Sequence, residues 1–247
     1  MGLFKKGQLL RFQEWCNVIL IDPRGCGKSD PCDIIEYHMD VYIDDVEAIR
    51  QYFGLEKCVI MGASYGSVVA QGYVNRYSDK ALSGLILING ASNDNYLQDA
   101  LANLNKIGTK VQIDMFKQLL EGRVNTAKAM TEYYRVMWPL YTPKHPGEKL
   151  PIINNDLPAR ILTAGFGPGG FLRDFDFTVG LRKVRCPTLI IVGENDWINS
   201  PQTVSQTAKI ITHSEYQEIR DCGHFPFLDQ PERYYAICQE WVCSKQV

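Results

Sequence analysis

The sequence predicts an α/β fold, a mostly parallel sheet with helices on both faces. Three observations predict it. Residues 58–61, 84–88 and 188–192 are short, unbroken apolar runs of the kind that form strands covered on both sides. Segments of helical period separate the first of them, giving the strand–helix–strand succession of right-handed crossovers. Ser64, Asp196 and His224 each stand just after a predicted strand, at the sheet edge where open α/β folds build their sites.

In chain order, residues 8–15 have helical spacing and run straight into a predicted strand at 17–21. The loop Asp22-Pro-Arg-Gly-Cys-Gly-Lys-Ser-Asp30 follows. Its Gly27-Lys28-Ser29 ends like a phosphate-binding loop, but that motif needs glycine where Asp22 stands, which argues against nucleotide binding. Met39, Tyr42, Ile43, Val46, Ile49 and Phe53 recur at helical spacing with acidic residues between them, and Gly54 ends that helix. The strand at 58–61 then leads into Gly62-Ala-Ser64-Tyr-Gly66, and residues 67–77 resume a helical pattern with Val68, Val69, Gly72 and Tyr73 on one face. Strand, G-x-S-x-G and helix are the context of a nucleophile elbow, a turn so tight that its flanking positions must be nearly free of side chain.

Beyond the strand at 84–88 the character changes. Helical patterns at 97–104, 116–120 and 126–138 alternate with Pro/Gly-rich breaks at 139–151 and 165–170, and no buried strand is predicted. We expect a core at 1–91 and 178–247 with a helical cap inserted at 92–177. Tyr134 and Trp138 of this insertion, with Trp197, are candidates for a substrate pocket, although aromatics of this kind also form ordinary cores. The sheet resumes at 188–192, followed by Gly193-Glu-Asn-Asp196-Trp197. A strand at 215–219 precedes Arg220-Asp-Cys-Gly-His224, and residues 231–243 close the chain with a helix.

Composition narrows the function. A chain of 247 residues with 45% hydrophobic and 22% charged residues can bury one large core. A net charge of −2 favours neither nucleic acid nor an anionic membrane, and no apolar run approaches the ~20 residues of a membrane span. The N-terminus lacks the apolar stretch of a signal peptide. Eight scattered cysteines without a C-x-x-C pair then read as reduced thiols, and a cytoplasmic location is expected. No metal-ligand spacing is present and no cofactor is expected. The expected partner is a small-molecule or short-peptide substrate; the oligomeric state is not legible.

The chain order Ser64, Asp196, His224 is the nucleophile, acid and base order of α/β-hydrolases. The motifs Asp22-Pro-Arg-Gly-Cys-Gly-Lys-Ser, Gly62-Ala-Ser-Tyr-Gly-Ser, Gly193-Glu-Asn-Asp and Asp221-Cys-Gly-His-Phe resemble those of that superfamily, and within it of the proline iminopeptidase-like branch, serine peptidase family S33. The resemblance covers residues 10–88 and 178–241. It implies a Ser64-His224-Asp196 triad, an acyl-enzyme, and an oxyanion hole that includes the Tyr65 N–H. It also implies a sheet truncated at its N-terminal side, because relatives begin with about three further strands and a His-Gly-Gly-Pro-Gly-like loop carrying the second oxyanion donor. A catalytically impaired hydrolase-fold protein acting as a binding module is the alternative. Iminopeptidases also bind the substrate amine with carboxylates, in some relatives with one directly after the triad Asp. Trp197 stands there, leaving Glu121, Glu132 and Glu148 as candidates.

Overall fold

The computed structural model describes residues 10–146 and 153–247; Glu148, the start of the 8–15 helix and the end of the 139–151 break lie outside them. Four strands, β1 (Cys58–Ala63), β2 (Leu82–Ile88), β3 (Thr188–Gly193) and β4 (Glu215–Ile219), form one sheet in that order. Every neighbouring pair is parallel. The central strands are sealed: Leu85–Ile88 and Leu189–Val192 are at most 1% exposed, as their continuous apolar composition requires. The strand count is consistent with a truncated sheet.

Helices cover the sheet. Helix α1 (Met39–Tyr52) packs beside α2 (Tyr65–Tyr77), with Arg76 paired to Asp44 at 2.6 Å and the Tyr73 hydroxyl donating to Glu47 at 2.7 Å. Between β2 and β3 lie α3 (Tyr96–Ile107), α4 (Lys110–Leu120), α5 (Ala127–Tyr141), α6 (Leu157–Phe166) and α7 (Thr178–Leu181). Thr109 and Gln112 open α4 with reciprocal side-chain and backbone hydrogen bonds. Leu104, Phe116, Leu119, Met130, Tyr133, Met137 and Ala159 give these helices a common buried interior. Helix α8 (Pro201–Ile210) links β3 to β4, and α9 (Pro226–Asp229) and α10 (Pro231–Lys245) close the chain.

The register aligns the carboxyl ends of the strands. Ala63 lies opposite Ile88, Ile88 opposite Ile191, and Gly193 opposite Ile219. Ser64 and Asn89 immediately follow the first two ends, and Asp196 and His224 come three and five residues beyond the others. One edge of the sheet thus collects all four residues.

Several predicted elements are corrected. The segment 17–21 is not a strand: Ile19, Leu20 and Ile21 are 40%, 48% and 42% exposed, and among the described residues β1, the sheet's edge, pairs only with β2. Apolar β-formers make a strand only when a neighbour supplies the hydrogen-bond ladder. The described part of the 8–15 segment is a short 3₁₀ turn, Leu10–Glu14, tied to α10 by the Arg11–Glu232 pair. Helix α5 runs through Pro139 to Tyr141 although the proline forfeits its bond to the Arg135 carbonyl; Trp138 and Tyr141 are held by aromatic neighbours, and that packing keeps the last turn helical. Helices α6 and α8 were not foreseen. Each carries proline in its first turn, where the missing N–H has no helical acceptor to lose.

Candidate active site

The turn after β1 holds Ser64 at φ 55 and ψ −121, outside the comfortable regions for a residue with a Cβ. The Ser64 N–H donates to Ile88 O at 2.8 Å, pinning the turn to the end of β2. A Cβ on Gly62 would fall 2.0 Å from Gly66 O and 2.7 Å from Ser67 N, so the reversal closes only over a glycine there. At Gly66 a Cβ would meet nothing within 4 Å, so the expected need for a bare position on both sides holds for Gly62 alone. Gly62→Ala is expected to lower stability by more than about 3 kcal/mol in chemical denaturation, whereas Gly66→Ala, in the first turn of a helix, is expected to cost nothing. Equal midpoints for the two variants would refute this account of the turn.

The structure brings Ser64, Asp196 and His224 together. Ser64 Oγ lies 2.8 Å from His224 Nε2, and His224 Nδ1 lies 2.7 Å from Asp196 Oδ2. Asp196 is 1% exposed and His224 5%, while Ser64 is half-buried. The other carboxyl oxygen, Asp196 Oδ1, accepts the Ile198 and Asn199 N–H groups at 3.0 and 3.1 Å. With both its oxygens serving as acceptors, Asp196 favours the tautomer with hydrogen on Nδ1, which leaves the Nε2 lone pair to receive the Ser64 hydroxyl proton. The Tyr65 N–H begins α2, where helix geometry supplies no backbone acceptor. That amide and the positive end of the helix dipole are therefore available to an anion forming at Ser64.

The backbone of His224 is held from two sides. Its N–H donates to Tyr141 O at 2.7 Å, and its carbonyl accepts from Asn89 Nδ2 at 2.7 Å. The Tyr141 ring stands edge-on to the imidazole, centroids 5.4 Å apart, and its hydroxyl shares a 2.9 Å hydrogen bond with Tyr133. Asp229 Oδ2 accepts the Gly223 N–H at 2.7 Å, and Asp229 Oδ1 accepts the Thr142 hydroxyl. The end of α5 and the histidine loop are thus one hydrogen-bonded unit.

Burial raises the phenol pKa values of Tyr133, Tyr134 and Tyr141 and keeps all three neutral beside the site. The three pocket candidates are enclosed: Trp197 is 2%, Trp138 4% and Tyr134 6% exposed. Trp197 packs edge-on against Phe116 and Tyr141, and Trp138 lies over Phe225. Trp197 and Trp138 thus join the intervening helices to the acid and histidine loops, while Tyr134 packs on Tyr133 and Tyr141 within α5. Of the candidate glutamates, Glu121 pairs with Arg123 and Glu132 with Arg135, all four side chains about half exposed or more. In the 22–30 loop Asp22 Oδ2 accepts the Lys28 N–H at 3.0 Å, so an amide that a phosphate cradle would use is already spent.

All eight cysteines are free, with Cys186, Cys222 and Cys238 buried. Among the described residues no cluster of His, Cys, Asp or Glu has metal-binding geometry, and no helix is long and apolar enough to cross a membrane. Sequence reasoning missed Asn89 and Asp229 as neighbours of the site. Neither has a motif around it in the sequence, whereas Tyr141 is one of the aromatics of 92–177 that could line a pocket, although its stretch reads as a break.

Comparison with known proteins agrees with this fold. A family described as alpha/beta hydrolase fold matches residues 10–231. A proline iminopeptidase of Heyndrickxia coagulans is 26% identical over 238 residues, covering 92% of this chain and 81% of that protein. The proline iminopeptidase of Lactobacillus helveticus is 26% identical over 234 residues, covering 91% and 79%. Among solved structures, an alpha/beta fold family hydrolase from Bacillus anthracis str. Sterne is similar with a TM-score of 0.71 at 20% identity, covering 89% of this chain and 80% of that one. The proline iminopeptidase of Mycobacterium smegmatis gives 0.67 at 18% identity, covering 91% and 78%.

Proposed function

The chain belongs to the alpha/beta hydrolase fold family and is a hydrolase of its S33 type, and on that premise we propose that it cleaves an ester or amide bond of a small molecule or short peptide by acyl transfer to Ser64. The observation that carries this reading is the unbroken hydrogen-bond chain from Ser64 Oγ through His224 to Asp196. As Ser64 Oγ attacks the carbonyl carbon, His224 Nε2 takes its proton, and Asp196 stabilises the imidazolium and holds its orientation. The carbonyl oxygen becomes an anion, which the Tyr65 N–H and the start of α2 oppose with positive potential. His224 then gives the proton to the leaving group, and water repeats the sequence on the acyl-enzyme. The helices between β2 and β3 act as the cap over this site, with Tyr134, Trp138 and Trp197 shaping its inner wall. A fluorophosphonate is expected to modify the protein at Ser64; modification of a different residue in an active preparation would overturn the assignment.

The relatives named proline iminopeptidase raise the question of a free substrate amine. A buried ammonium needs a carboxylate partner, and without one it loses several kcal/mol of solvation. Glu121 and Glu132 point to surface arginines instead, and Trp197 occupies the position after Asp196. The acyl group is therefore expected to be neutral. For a proline arylamide and its N-acetyl derivative, kcat/KM is expected to agree within about tenfold. A hundredfold loss on acetylation would reveal an amine site of about 2.7 kcal/mol and refute the expectation.

A further inference from the structure

The end of β2 touches all three loops of the site. Ile88 O receives the Ser64 N–H at 2.8 Å. The next residue, Asn89, is fully buried, and its side chain bonds in two directions. Oδ1 accepts the Gly193 N–H at 3.0 Å, at the head of the loop that carries Asp196, and Nδ2 donates to His224 O at 2.7 Å. Its own N–H donates to Ile191 O at 2.9 Å, extending the β2–β3 ladder. Asn89 adopts φ 48, a left-handed conformation that asparagine tolerates better than most residues with a Cβ. Among side chains of this length, only a primary amide presents a donor and an acceptor together in one plane.

We propose that Asn89 is a positioning residue: through Gly193 and His224 it sets the acid loop and the histidine loop against each other, while the preceding carbonyl sets the serine turn. The inference rests on the hydrolase reading above. It concerns how the three loops are held in mutual register; Asn89 itself contacts neither the substrate nor the reacting atoms. A hydrolytic site needs the serine, imidazole and carboxyl groups aligned simultaneously, and misplacement by about 1 Å costs about 10²-fold in rate. The three loops come from strands far apart in sequence, so a short link fixes their relation more tightly than the loops themselves do. A strained backbone conformation retained at a buried polar residue fits that role.

Two variants separate the side chain from the backbone. Asn89→Gly accepts the left-handed conformation without strain and removes both side-chain bonds. Asn89→Asp keeps the volume and the acceptor for Gly193 and removes the donor to His224. With p-nitrophenyl acetate as probe, kcat of Asn89→Gly is expected to fall about 10²-fold with KM changed less than about twofold. For Asn89→Asp we expect a fall in kcat of at least about tenfold, again without a KM effect; being isosteric, it also tests the idea if the glycine variant fails to fold. The downfield proton resonance of the His224–Asp196 hydrogen bond is expected to shift or broaden in both. A folded variant with wild-type kcat, a loss wholly in KM, or an unchanged resonance would overturn the proposal. A wild type that labels nowhere and turns over no ester would instead sink the hydrolase reading, and the resonance would still decide whether Asn89 positions His224.

Discussion

Replacing Ser64 by alanine is expected to lower kcat for an activated ester by about 10⁶-fold and to abolish fluorophosphonate labelling. The size of the effect follows from the mechanism. Without Oγ there is no acyl-enzyme, and water must attack directly with His224 no longer aligned on a nucleophile. What remains is the binding of the substrate and the stabilisation of the oxyanion, worth about 10³–10⁴ over water. The substitution removes one half-buried hydroxyl, and Gly62 rather than the serine side chain is what closes the turn, so the variant is expected to fold. The check is steady-state hydrolysis of p-nitrophenyl acetate beside labelling of both proteins at equal concentration. If the alanine variant retains more than about a hundredth of the turnover, or still labels, the nucleophile lies elsewhere.

Asp196→Asn is expected to lower kcat by about 10⁴-fold while leaving the fold in place. The reason lies in the donors that surround Asp196. Its Oδ1 faces two backbone N–H groups, and its Oδ2 faces His224 Nδ1. An asparagine oxygen at the first position keeps both backbone bonds, but then its NH₂ faces Nδ1 and the imidazole must turn its lone pair there. The hydrogen moves to Nε2, toward Ser64, and the base has the wrong tautomer. Flipping the amide would restore the tautomer only by aiming NH₂ at the Ile198 and Asn199 N–H groups, leaving donors facing donors in a place 1% exposed. Circular dichroism together with kcat separates this from unfolding. A folded variant within about tenfold of wild type would mean that Asp196 does not orient the histidine.

Much of this site was readable before the structure because its signals are local. Gly62 is required by atoms four and five residues away, and the apolar runs of β2 and β3 report their own burial. Ser64, Asp196 and His224 each follow a strand whose pattern is contained in a handful of residues. Asn89 left no comparable trace. Its partners, Gly193 and His224, are 104 and 135 positions away, and nothing beside it in the chain announces them. The backbone contact of Tyr141 was equally illegible, since its carbonyl meets His224 only because α5 continues past Pro139.

By itself, then, the sequence determined the fold class, the strands and helices with strong internal period, and the strand ends after which Ser64, Asp196 and His224 occur. Only the tertiary structure decided which of the apolar segments found a partner. Residues 17–21 have the composition of a strand but no neighbour to pair with among the described residues, whereas 215–219, more polar, pairs because β3 lies alongside. It decided too that Trp197, Trp138 and Tyr134 are enclosed and that Glu121 and Glu132 face arginines. The physical reason is one of range. Periodicity and turn chemistry are set by residues within a few positions of each other, but a hydrogen-bond ladder, the burial of a ring and the pairing of a charge depend on what the rest of the chain brings to that place.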